Sequence, residues 1–151
     1  MTERVDFYIL KSATARQRWA FACRLTEKAY LRDLRVLILN ENIADAQALD
    51  ELLWTFNERC FVPHDFCVDP KSADPATPVH LTLQLDAAPD ADLLVNLAAR
   101  LPERWDRFAR IAEIVDADEE RRRLGRERFK AYRDLKLTLE THQLDDNGLA
   151  S

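Results

Sequence analysis

"RVLILN", Arg35 to Asn40, is the stretch that decides the fold. Its apolar residues run on without alternating, over the length of one strand, so it reads as a β-strand covered on both faces. A strand of that kind belongs in the middle of a sheet. On its N-terminal side "VDFYIL", Val5 to Leu10, is β-branched and aromatic and reads as an opening strand, followed by a helix from about Thr14 to Asp33. In that helix Trp19, Cys23, Thr26 and Tyr30 recur at intervals of three or four and mark the apolar side, while Arg16, Arg24 and Lys28 point to water. On the C-terminal side a second helix is predicted from Asn42 or Ile43 to Phe56, with Ala46, Leu49, Leu52 or Leu53, and Phe56 as its buried stripe.

From Phe56 to Val79 the pattern weakens, and Pro63, Pro70, Pro75 and Pro78 predict a long loop. "VHLTLQL", from Val79, alternates like a half-buried strand. "DLLVNLA", Asp92 to Ala98, fits a strand or a short helix, and periodicity leaves both open. A helical turn is predicted at Pro102 to Phe108, then a strand at "RIAEIVD" from Arg110, then a basic helix. The end, "THQLDDNGLAS" from Thr141, is expected to fray. Alternating strands and helices imply a three-layer α/β domain over residues 1–140, with a mostly parallel sheet and right-handed crossovers, followed by a tail at 141–151.

With 151 residues, 47% of them hydrophobic, the chain can bury a real core without disulfide or metal support. Its cysteines, Cys23, Cys60 and Cys67, are odd in number and no apolar segment with a basic flank opens the sequence, so a reducing cytoplasm is the expected home. Apolar runs fall far short of the roughly 20 residues needed to cross a bilayer. Folds of this class often bind nucleotides, but only Gly125 and Gly148 are glycine, and neither lies in the first β–α turn, "ILKSATARQ". A phosphate cradle needs several positions free of Cβ so that backbone amides can approach the ligand. The expectation is a Rossmann-like fold with no phosphate loop and no cofactor.

Cys60, His64 and Cys67, with Asp65 between them in "CFVPHDFC", invite a metal reading. A structural zinc site takes four ligands in recurring pairs, and no second Cys/His pair accompanies this one, so no metal is expected. His64 beside a cysteine could serve as a base for a nucleophile, yet His80 falls in a strand and His142 in the tail, and no triad is recognisable. No catalytic residue is assigned. The aromatic group Trp54, Phe56, Phe61, with Val62 and Pro63, ends a helix and enters a loop; Phe56 reads as a cap on the core, and Trp54 and Phe61 fit either that role or a partner-binding patch.

The charge is unevenly spread. The chain carries a formal net charge of -5, yet Arg121 to Lys136, "RRRLGRERFKAYRDLK", has eight basic residues against Glu127 and Asp134, leaving +6 there and -11 elsewhere. Pairs such as Arg123 with Glu127 account for part of this. Arg122, Arg126, Phe129, Lys130 and Arg133 fall at helical spacing on neighbouring stripes, presenting cations and a ring together. Such a surface suits an acidic peptide with a hydrophobic terminus, since cations take carboxylates and the ring takes the side chain. Nucleic-acid phosphates are an alternative, and the acidic remainder opposes a long polyanion more than a short tail.

The opening "VDFYIL", the segment "ALDELLWTFNERCFVPH" and the late "GRERFKAYRDLKLTLETH", in that order, resemble the chi subunit family of bacterial DNA polymerase III holoenzyme, a clamp-loader component. The resemblance implies a non-catalytic α/β domain without bound nucleotide. It implies two partners: the acidic C-terminal tail of single-stranded DNA-binding protein, which ends in proline and phenylalanine, and the psi subunit, which links chi to the clamp loader. By motif position the tail-binding residues would be Arg126, Phe129 and Lys130, Phe129 standing where tyrosine is frequent. Arg122 and Arg133 extend that set by helical spacing. Trp54 and Phe61, with Val62 and Pro63, would match the surface that meets psi or, in its place, an accessory repair helicase. A membrane role and strong direct nucleic-acid binding are not expected.

Overall fold

The structure, a computed structural model, describes residues 2–11, 13–56, 61–66, 74, 76–86 and 88–144. In chain order the elements are β1 (Arg4–Ile9), α1 (Ala15–Tyr30), β2 (Val36–Leu39), α2 (Ile43–Thr55), β3 (His64–Phe66), β4 (Val79–Thr82), β5 (Leu93–Asn96), a 3-10 turn (Trp105–Arg107), β6 (Arg110–Val115), α3 (Glu119–Asp134) and β7 (Leu139–Gln143). Among the described residues seven strands lie in the order β3-β4-β2-β5-β6-β1-β7, and every pairing is parallel. β2 is central, as its uninterrupted apolar run requires, and its side chains alternate between two cores. Val36 and Ile38 pack with Phe21, Ala22, Leu49 and Leu53 of α1 and α2. Leu37 and Leu39 pack on the opposite face with Phe7, Phe108 and Tyr132, the last from α3. The result is three layers, helices on both sides of one sheet.

Each helix begins on a side chain able to accept from the first turn's unpaired amides. Thr14 accepts from the Gln17 amide, Asn42 from that of Asp45 and Asp118 from that of Arg121. With few glycines at hand, α1 and α3 both end through a non-glycine residue at positive φ, Asp33 (62°) and Lys136 (63°). After each, the next amide reaches back to close the last turn, Leu34 to the Ala29 carbonyl and Leu137 to that of Tyr132.

One choice the sequence left open and three departures from its reading have physical reasons. Asp92 to Ala98, left open between strand and helix, contains β5, because β2 and β6 flank it and satisfy its backbone on both sides. β4 is buried throughout instead of half-buried: Val79 and Leu81 pack in the core with α1 and α2, and His80 and Thr82, at the alternate positions, are buried too; it stops at Thr82, whose hydroxyl bonds the Gln84 carbonyl at 2.7 Å. β3 lies inside the stretch expected to be loop. Thr141, His142 and Gln143, expected in the frayed tail, belong to β7 and pair with Phe7, Tyr8 and Ile9 of β1.

Candidate functional site

The basic helix α3 is well set by its own sequence. Asp118 caps it, Glu119 and Glu120 occupy the first turn and Arg133 the last, an order that complements the helix dipole. Its inward face buries Gly125, Arg128 and Tyr132, and the last two carry polar groups inward. A Cβ at Gly125 would stand 3.1 and 3.3 Å from the two γ-carbons of Val115, so glycine lets the helix lie close against β6. Beneath it Glu113 is wholly buried. Its carboxylate accepts from Arg128 Nε at 3.0 Å, from the Tyr132 hydroxyl at 2.7 Å and from Asn96 Nδ2 at 2.9 Å. Burial pushes the Glu113 carboxyl upward against the pull of Arg128, Asn96 and Tyr132. Burial and then the Glu113 charge push the Tyr132 phenol up.

The outward cations divide by their partners. Arg121 pairs with buried Asp116 at 3.2 Å, and Arg123 with Glu120 and Glu127. Arg122 is half-buried and held by two carbonyls, Nε to Asp116 and Nη2 to Leu10, each at 3.2 Å. Arg126, Lys130 and Arg133 are exposed and make no ion pair among the described residues. Between α3 and the β1–β7 edge runs a groove of about 260 Å³. Its floor is Phe7, Ile9 and Val115, its helix side Arg122, Gly125, Arg126 and Phe129, and its far wall Thr141 and Gln143 of β7. Phe129 is half-buried and meets Phe7 edge-on, with centroids 5.2 Å apart at 63°. Arg122, Arg126 and Phe129 thus converge on one groove. Lys130 and Arg133 sit outside its lining. The floor and the β7 wall were not foreseen, since nothing in "LETHQ" announces a strand.

A second surface forms where α2 ends. Trp54 and Phe61 are 55% and 54% exposed, and their rings lie 4.9 Å apart at 32°. His64 packs 4.8 Å from Trp54 and is itself pinned, Nδ1 at 2.7 Å from the Val62 carbonyl and Nε2 at 3.1 Å from Asp50. Two large apolar rings held half in water form an anchor of the kind that interfaces use. Phe56 packs against the core. Val62 departs from the expectation: its side chain is fully buried in the α1–α2 core, pointing away from the face that displays Phe61, so it supports the patch from below and cannot meet a partner. Pro63 is half-buried.

A protein-family model described as "DNA polymerase III chi subunit, HolC" matches residues 1–140. The chain belongs to the DNA polymerase III chi subunit family. It is 35% identical over 141 residues to the DNA polymerase III subunit chi of Pseudomonas aeruginosa, covering 93% of this chain and 96% of that one. It is 30% identical over 134 residues to that of Haemophilus influenzae (88% and 92%), and 28% identical over 145 residues to that of Escherichia coli (92% and 97%). Both surfaces of this chi-family chain lie within the matched span.

Among the described residues, the other candidate ligands and nucleophiles are engaged by protein groups or buried. Cys60 and Cys67 lie outside the described residues, and both His64 nitrogens already engage protein oxygens. Asp6, Glu140 and His142 bring their ligand atoms within 4.8 Å of one another. Asp6, however, is bound by Arg4 at 3.1 Å and Arg110 at 3.2 Å, which supply the positive charge a cation would bring. Burial raises the Asp6 carboxyl, but its bonds to His142 and Arg110 and the charges of Arg4 and Arg110 prevail and hold it below the usual range. Cys23 is buried and its thiol is pushed up to about 12, which leaves it inert. No helix among the described residues is long and apolar enough to cross a membrane.

Proposed function

We propose that this chi-family chain is a non-catalytic adaptor of the replisome, a single cytoplasmic domain that couples the clamp loader to single-stranded DNA-binding protein. The acidic tail of that protein lies along α3. Its carboxylates meet Arg126 and Lys130, with Arg122 and Arg133 at either end, and its terminal phenylalanine enters the groove beside Phe129, over Phe7, Ile9 and Val115. One observation carries the reading. In an otherwise acidic protein, an apolar-floored groove has at its rim an arginine, Arg126, that no carboxylate of the described residues neutralises. Arg122 strengthens the site, because two carbonyls hold its guanidinium in place before a ligand arrives, which lowers the ordering cost of binding.

Exposed charge pairs contribute only about 0 to 1 kcal/mol each, so the apolar anchor must supply much of the affinity, which is modest and falls with salt. The Trp54–Phe61 patch serves the psi subunit or, in its place, an accessory repair helicase, and it stands on a different element from the groove, so the two partners can bind together. Calorimetric titration with a peptide copying the acidic tail tests the first contact. Arg126→Ala and Lys130→Ala should each weaken it, and equal affinities for all three proteins would remove the assignment. Direct nucleic-acid binding by α3 predicts instead a strong gel shift with naked single strands at physiological salt. A nucleotide-substrate enzyme predicts a large thermal stabilisation by nucleotides.

A further inference from the structure

We infer that Glu113 is a positioning residue: its buried carboxylate, gripped by Arg128 and Tyr132, sets the rotational phase of α3 and thereby forms the groove. This rests on the tail-binding reading and adds to it the device that holds the site in shape.

The argument starts from what α3 lacks. A helix held by a broad apolar stripe gains its energy from contacts without direction, and it can roll on its seat. The residues α3 buries are a glycine, an arginine and a tyrosine, and two of those end in polar groups aimed at one side chain. Hydrogen bonds are directional and weaken steeply when bent or stretched. Arg128 and Tyr132 are four positions apart, one turn along a single face. Binding both to Glu113 therefore fixes the helix at two points on one line. Asn96 of β5 binds both carboxylate oxygens, at 3.0 and 2.9 Å, and Arg128 donates to the Ala99 carbonyl at 2.7 Å, so the anchor itself cannot swing.

The consequence reaches the groove through geometry. Side-chain tips stand about 6 Å from a helix axis, so a roll of about 20° moves them about 2 Å. That is enough to break the Arg122 bonds to Asp116 and Leu10 and to part Phe129 from Phe7. A buried ion pair is weak evidence for stability, because well-packed apolar residues of the same volume frequently do as well or better. Its use here is to admit one orientation of a helix whose outward cations must face a particular groove.

The experiment uses the full chain as wild type, Tyr132→Phe, Arg126→Ala and the apolar replacement Glu113→Leu/Arg128→Met/Tyr132→Phe. Two quantities are read well below each melting temperature: affinity for the acidic-tail peptide, and nuclear Overhauser contacts between the Phe7 and Phe129 rings. The replacement should fold, bind the peptide about tenfold or more weakly than wild type, and lose intensity in the ring contacts. Tyr132→Phe, which removes one donor and keeps the ring, should move both in the same direction by a smaller factor and serves if the triple replacement does not fold. Unchanged ring contacts overturn the inference whatever the peptide does, as does wild-type affinity in a folded triple replacement. A wild type that ignores the peptide, or matches Arg126→Ala, instead removes the tail-binding reading, and with it the inference that rests on that reading.

Discussion

Reversing the charge at Arg126 separates binding from folding more cleanly than any other change in the groove. Arg126 is exposed and has no carboxylate partner among the described residues, so Arg126→Glu should alter stability by no more than about 0.5 kcal/mol. For a chain of this size that is a shift in melting temperature of about 2 °C or less. For the acidic tail the substitution removes an exposed attraction worth about 0 to 1 kcal/mol and adds a repulsion of similar size. With each contribution in the upper half of that range, the sum is about 1 to 2 kcal/mol, roughly a 5- to 30-fold loss of affinity. The loss should be greatest at low ionic strength, because the screening length falls from about 10 Å at 0.1 M salt to about 3 Å at 1 M. Titration of wild type and Arg126→Glu with the peptide at both salt concentrations, alongside thermal melts, checks all three numbers. Equal affinities at low salt, or a melting temperature lowered by 5 °C or more, would refute the picture of a free cation at the rim of a binding groove.

Trp54→Ala/Phe61→Ala should cost about 1 kcal/mol or less in stability, since both rings are more than half exposed, while abolishing co-purification with psi; retained co-purification would remove the patch. Val62→Ala, by contrast, empties part of the core and should cost about 2 kcal/mol, a melting temperature roughly 4 to 8 °C lower, with peptide affinity unchanged. Asp6 has a depressed carboxyl in the folded state, so its contribution is present above its usual value of 3.8 and disappears as pH falls through the lower folded value. Asp6→Asn should therefore be less stable than wild type at neutral pH, and the gap between their melting temperatures should close in strong acid; a constant gap would contradict the Arg4–Asp6–Arg110 arrangement.

The fold was legible wherever burial dictates residue type. β1, β2 and β6 carry their apolar runs because both faces are covered, and the first two helices start near Thr14 and Asn42, as read from the sequence, where those side chains accept from free amides. The sheet's edges were not legible. "HDF" of β3 and "LETHQ" of β7 are short and polar, as edge strands tend to be, and nothing local marks them; the partner of β7, β1, stands at the other end of the sequence. The site divides the same way. That cations and a ring share a helix could be read from spacing, but spacing does not say which side faces the sheet. Arg126 and Arg128 look alike in the sequence, yet one is exposed and the other is buried on Glu113. Phe61 and Val62 are adjacent, and only the larger of them is in water.

The sheet places β1 between β6 and β7, so the first strand made is flanked by the last two. During synthesis β1 can find neither neighbour until most of the chain has emerged, and long-range parallel pairing of this sort is slow to form. Thr141 and Gln143 are among the latest of the described residues to leave the ribosome, and they wall the groove. A nascent or C-terminally clipped chain would thus carry the cations of α3 without the trough beside them, so the proposed tail contact, if made through this groove, would select finished molecules.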